Sequence, residues 1–369
     1  MNGKQRVIAA MERKPVDRVP LFPVVTDYIG SRVIGRRMVD MALDPMLKFE
    51  SIAAMVERFG FDGIEAGIGP ERGWQEHRKV AEIGGKQYLT YSDGTPYAQL
   101  QENDQPIAIV GEPILKNKRD LDKIRITTAE RYENQGCLEP LRELVRRIGD
   151  RVFIAGVAAS QTMNSLVAWR GSDQATLDLI DDPGFVMAAM ETATEISIEI
   201  GKAAIAGGVH GIYIGDAWAS ASIISPKHYE QFCQPFHAKA AKTFHSLGAK
   251  VYLHICGNCS PILEMMADTG VDAIEPLDQM TIEGLRDARR RVGDRVCLKG
   301  GIDTMALLNA TGDEVYRLCV EAIDVCGPTG YILGSGDDIP RDAPFANIDA
   351  MRRAADDIDF GIDTKAICE

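Results

Sequence analysis

His254 and Cys256 are the pair of residues in this sequence best placed to do chemistry. They close the run Val251-Tyr252-Leu253-His254-Ile255-Cys256, which reads as a strand ended by the turn residues Gly257-Asn258. In a strand, residues i and i+2 share a face about 6–7 Å apart. One imidazole and one thiolate can then converge on a single ion at roughly 2.0–2.3 Å each, which is half of a zinc site. The plainer alternative is a hydrogen-bonded core histidine beside a partly buried thiol. Zinc needs a third protein ligand and, for catalysis, an open fourth position. Two residues compete for that role. Cys259 is nearest, in a Cys256-x-x-Cys259 spacing that is also a redox spacing; the redox reading leaves His254 without a task. Asp337 is the other, in the glycine-rich turn Gly334-Ser335-Gly336-Asp337-Asp338-Ile339-Pro340, whose glycines let it fold inward.

Positioning such groups requires strands that end at a common mouth. Strand-like runs centre near residues 20, 64, 154, 213, 252, 273, 297 and 332, and from residue 128 helices separate them regularly. Short apolar strands alternating with helices signal a buried parallel sheet, and eight such units make a (β/α)8 TIM barrel. An open doubly wound sheet is less favoured, because no Gly-x-Gly-x-x-Gly follows the early strands. Residues 1–15 form an N-terminal helical extension. Residues 83–127 break the rhythm; Ser92-Asp93-Gly94-Thr95 between two β-forming stretches marks an antiparallel hairpin insertion, a lid or packing arm within one domain spanning 1–369. The tail from Asp356 reads as a charged terminus.

Barrel chemistry gathers at strand ends. Those positions hold Asp27, Glu65, Asp216, His254, Cys256, Glu275, Asp278, Lys299, Asp303 and Asp337. Some of these carboxylates will be helix N-caps, a position Asp favours. Glu275 or Asp278 could complete or support a metal shell, Asp216 and Asp27 could position substrate, and Tyr28, Trp169 and Trp218 could wall a flat ring, unless they are loop packing. His228, His237 and His245 fall on the helix before the central strand and read as structural.

A net charge of −13 argues against nucleic acid or an anionic membrane as partner. The first residues show no leader-like apolar run, and no stretch of about 18 uncharged apolar residues could span a bilayer. Eight scattered cysteines in a long chain suggest reduced thiols and a cytoplasmic location.

Several segments together carry a resemblance. They are Arg13-Lys14-Pro15-Val16-Asp17-Arg18-Val19-Pro20, Gly248 through Asn258, Gly300-Gly301-Ile302-Asp303, Tyr331 through Pro340, Ala343-Pro344 and Asn347-Ile348. The chain resembles the uroporphyrinogen decarboxylase superfamily, and within it the zinc-dependent corrinoid methyltransferase branch, over essentially its whole length. The resemblance implies a (β/α)8 barrel, zinc bound through His-x-Cys, and a corrinoid supplied by a small partner protein. In that branch the late glycine-rich turn typically supplies a cysteine to zinc; here Asp337 stands at the matching position. With one thiolate instead of two, the site is harder and the metal a stronger Lewis acid toward oxygen. The expectation is therefore O-demethylation of a methyl ether, such as a methoxyaromatic. Methyl transfer from a methylcorrinoid to a thiol is the alternative. A metal-free, decarboxylase-like barrel is the further one, though Val24-Val25-Thr26-Asp27-Tyr28-Ile29-Gly30-Ser31-Arg32 offers little to a polyanion. A homodimer is left open.

Overall fold

The apolar runs and their intervening helices fold into one parallel sheet. The computed structural model describes residues 1–109, 111–278 and 281–360. Its strands are β1 (Gly63–Ala66), the antiparallel set β2 (Lys79–Ile83), β3 (Lys86–Thr90), β4 (Pro96–Gln99) and β5 (Ile107–Ala108), then β6 (Phe153–Val157), β7 (Gly211–Gly215), β8 (Lys250–His254), β9 (Ala273–Glu275), β10 (Cys297–Ile302) and β11 (Tyr331–Ser335). The parallel sheet runs β1-β6-β7-β8-β9-β10-β11, so each strand pairs with its successor across a helical connection.

Seven strands form this sheet where eight were expected. The run near residue 20 is extended but makes only isolated bridges, Leu21 with Leu333 among them. It nevertheless touches both edge strands. Phe22 donates its N–H to Leu333 at 2.9 Å, and Asp62, just before β1, donates to Leu21 at 2.8 Å. Pro20 and Pro23 lack the N–H groups that a longer ladder would need.

Two apolar layers hold the sheet. The larger lies between strands and surrounding helices and includes Ile154, Ile212, Leu253, Ile274 and Leu333. The smaller fills the interior with Phe22, Phe153, Tyr252 and Ile332, and the helix Gly3–Met11 packs Val7 and Met11 beneath it. That helix starts in a capping box, Asn2 with Gln5, which satisfies its first free N–H groups.

The insertion is a four-stranded antiparallel sheet, β2-β3-β4-β5, beginning at Lys79 and so slightly earlier than expected. Gly84 and Gly85, both at positive φ, turn β2 into β3. Backbone contacts bind the arm to the rest: Val39 N–H meets Glu102 at 3.1 Å, and Arg341 Nη1 donates to the Asn103 carbonyl at 2.8 Å. The final helix, Phe345–Asp357, carries order past Asp356, and residues 361–369 lie outside the described part. Among the described residues no helix is long and apolar enough to cross a membrane.

Asp62 ties the first segment to the sheet. Only 3% exposed, it accepts from Arg6, from both Nη atoms of Arg18 (2.8 and 3.0 Å) and from the Leu21 N–H (2.8 Å). Replacing it strands buried donors. Asp62→Ala should lower unfolding free energy by about 3 kcal/mol, read as a fall in the urea midpoint with an unchanged slope.

Candidate metal centre

His254 is the last residue of β8, and parallel register decides its neighbours. It lies opposite Gly215 on β7 and Glu275 on β9. Facing side chains at equal height bring Glu275 Oε1 to 3.1 Å from His254 Nδ1. One strand further, Lys299 on β10 reaches Glu275 Oε2 in a contact buried completely on both sides. The ammonium also lies 4.2 Å from the Phe22 ring centroid and 5.2 Å from that of Tyr252, a cation–π environment that replaces part of its lost hydration.

These charges set one another. Burial alone would push the Glu275 carboxyl up, but Lys299 and His254 outweigh it and hold its pKa below the ordinary value. For His254, burial works against the charged ring, yet hydrogen bonds with Cys256 and Glu275 prevail and raise its pKa to about 10 in the metal-free chain. A carboxylate at Nδ1 favours the tautomer whose Nε2 lone pair faces outward, the usual arrangement of a histidine metal ligand.

Cys256 follows on the same face, as the strand period requires. After it, Gly257 at φ +84° makes a turn that side chains rarely adopt, and Asp278 Oδ2 accepts its N–H at 2.9 Å. The glycine-rich turn after β11 does fold inward. Its anchor is the Gly336 N–H, which donates to the Ile302 carbonyl at 2.6 Å. Asp337 thereby comes across two intervening strands, with Oδ1 3.9 Å from His254 Nε2. One donor atom each from His254, Cys256 and Asp337 lies within 4.8 Å of the others. Three donors bonded to one zinc at roughly 2.0–2.3 Å must sit within about that spacing, so the set fits the ion in type and separation. The His254 side chain is 8% exposed and that of Asp337 38%, so the site is walled behind and open in front. An open front is where a fourth ligand or substrate would enter.

Other expected residues take different places. Cys259 is buried, its thiol pushed up to about 11 by burial, and it stands outside the His254-Cys256-Asp337 group. Glu275 backs the histidine and Asp278 holds the ligand loop. Asp216 is fully buried at the end of β7, where it accepts from Thr162, from the Asn164 N–H at 2.9 Å and meets His237 Nε2 at 2.9 Å. His237 is therefore not remote from the strand ends; it reaches back from its helix to one of them. Asp27 opens the helix Asp27–Val33 and meets Lys48 at 3.4 Å, while the Tyr28 hydroxyl bonds Asp104 of the arm. Trp169 sits on the helix Thr162–Arg170 and Trp218 in the short turn Ala217–Ala219, both packed against the apolar core. Tyr213 was not singled out from sequence, yet its ring centroid is 5.3 Å from that of His254. Its place on the same face, in the neighbouring strand, was the available signal.

A parallel α/β sheet carrying imidazole, thiolate and carboxylate at its strand ends defines a class of protein whose chemistry is built on strand termini. The chain belongs to the uroporphyrinogen decarboxylase (URO-D) family, whose profile matches residues 99–358. It is 25% identical over 366 residues to the methylcobamide:CoM methyltransferase MtaA of Methanosarcina barkeri, covering 96% of this chain and 97% of that one. It is also 23% identical over 368 residues to a uroporphyrinogen decarboxylase of Coxiella burnetii, covering 95% and 93%. Among solved structures, a methyltransferase from Methanosarcina mazei superposes with a TM-score of 0.76 at 23% identity, over 97% of this chain and 99% of that one, which establishes a shared fold. The resemblance to the corrinoid methyltransferase branch stands on these comparisons.

Because metal must displace the proton from His254, zinc affinity should rise by at least about tenfold per pH unit between pH 6 and 8. Calorimetry in buffers of different ionisation enthalpy should show at least one proton released per zinc bound.

Proposed function

We propose that this protein moves a methyl group between a small substrate and the cobalt of a corrinoid held by a separate small protein, using zinc held by His254, Cys256 and Asp337, and that its substrate is an O-methyl compound such as a methoxyaromatic. The observation carrying this reading is the donor set itself, three groups within 4.8 Å with a single thiolate among them. Zinc bound there supplies a Lewis acid for negative charge building on a departing oxygen, and a harder ligand set leaves it more acidic toward oxygen.

The chain's own residues prepare the site. Lys299 keeps Glu275 anionic, and Glu275 orients the His254 ring. Asp278 fixes the turn that follows Cys256, and the Gly336 anchor presents Asp337. The balance of the demethylation is methyl ether plus Co(I) plus one proton giving methyl-cobalt and alcohol. The same reading takes the run 18–25 as the eighth stave of a (β/α)8 barrel, a role supported by its hydrogen bonds toward Leu333 and Asp62. It places the protein in the cytoplasm, in keeping with the seven free cysteines among the described residues.

A second reading, methyl transfer from methyl-cobalt to a thiol, is favoured by the likeness to the methylcobamide:CoM methyltransferase of Methanosarcina barkeri. The two separate in one assay. Zinc-loaded protein should convert Co(I) cobalamin and 2-methoxyphenol to methylcobalamin, followed by its absorbance, and should leave methylcobalamin unchanged with 2-mercaptoethanesulfonate. The reverse pattern would replace the first reading with the second. His254→Ala and Cys256→Ser should each drop zinc from about one per chain to near none, and turnover by at least about 100-fold, since each removes a ligand outright. Asp337→Cys should keep zinc but shift the ratio of the two reactions toward the thiol.

A further inference from the structure

At the same strand ends of the sheet, a cavity of about 510 Å³ opens between the end of β1, the segment leading into Asp27 and the helix Met46–Phe59. That is enough for one substituted ring. Its walls are largely apolar, with Phe49, Ile52, Ile68 and Val157 among them. Its carboxylates are Asp27 and Glu65, and its one ammonium, Lys48, is already engaged by Asp27 at 3.4 Å.

Glu65 differs from its surroundings. It stands at the cavity edge of β1 and keeps an accessible edge there, while Oε1 accepts the Tyr252 hydroxyl at 2.7 Å. Tyr252 in turn packs against Tyr213, whose ring adjoins His254, so two aromatic rings connect this carboxyl to the metal ligand. The nearby buried ammonium of Lys299 is already committed to Glu275. Burial and the charge of Glu275 push the Glu65 carboxyl up to about 7, against the pull of Lys299, the Tyr252 hydrogen bond and His254.

We propose that this cavity holds the non-transferred part of the substrate and that Glu65 selects an uncharged molecule presenting a hydroxyl donor, while rejecting anions. The inference rests on the O-methyl reading for its choice of probes. An anionic group in this pocket would face the Asp27 carboxylate and the Glu65 carboxyl, with no uncommitted cation to meet it. A hydroxyl meets an acceptor, and the rest of the ring meets apolar wall. Leaving the Glu65 acceptor desolvated and unpaired penalises a ring that lacks the hydroxyl.

The test is calorimetric binding of four probes to the zinc-loaded full chain without corrinoid, with zinc measured on the same samples. Relative to 2-methoxyphenol, methoxybenzene should bind about 10-fold more weakly and 2-methoxybenzoate about 100-fold more weakly. Glu65→Gln should narrow the gap between phenol and benzoate to under about tenfold. Gly67→Phe offers a second check: a Cβ at Gly67 meets nothing within 4 Å, so a side chain can leave the backbone there, and the added bulk at the cavity wall should abolish phenol binding with zinc retained. Benzoate binding as tightly as phenol would overturn the proposal. So would 2-methoxybenzylamine binding more tightly than phenol, an unchanged order in Glu65→Gln, or full phenol binding in Gly67→Phe. The expected order in protein that takes up no zinc would support the pocket while ending the zinc reading.

Discussion

A lysine ammonium enclosed on all sides has to be answered by a carboxylate, and in this protein that requirement organises the interior. Lys299 and Glu275 sit on adjacent strands, both inaccessible to solvent, and neither could stay charged there without the other. The parallel register of β8, β9 and β10 is what brings them level, and the same register sets His254 against the remaining oxygen of Glu275. A slip of one residue in β9 would turn Glu275 to the opposite face and leave both cations unanswered. The histidine's orientation is thus a property of the sheet, fixed before any ion arrives.

The remaining ligands show how differently a strand and a turn can serve one site. Cys256 inherits its direction from the strand period. Asp337 owes its place to a glycine-rich turn anchored by backbone hydrogen bonds from Gly336 to Ile302 and from Ile339 to Val24, and it remains partly open to solvent. Core strands supply accuracy and the turn supplies access.

Much of this was legible in the sequence because it depends on short-range periodicity. The spacing of two between His254 and Cys256 and the glycines around Asp337 were enough to bring three distant residues together on paper. The run near residue 20 misled on count, since its apolar pattern says strand while its prolines remove ladder donors, and only tertiary context settles the outcome. For Trp169 and Trp218, an aromatic side chain in a loop-like position has no sequence mark that tells a substrate wall from core packing, and the structure packs both against the core. Tyr213 and the backing role of Lys299 depend on which strands lie side by side, which single-strand patterns do not encode. His237 reads from its helix as scaffold, and only the fold shows it meeting Asp216 at the end of β7.

The helix Gly3–Met11 has a consequence for solvent. It presses Val7 and Met11 up against the interior rings, and the Asp62 cluster clamps the adjoining segment in place. The fully buried pair of Lys299 and Glu275 therefore has packed apolar side chains on the side of that helix. Whatever covers the open front of the metal site, where Asp337 stays exposed, would then also set how much water reaches that pair.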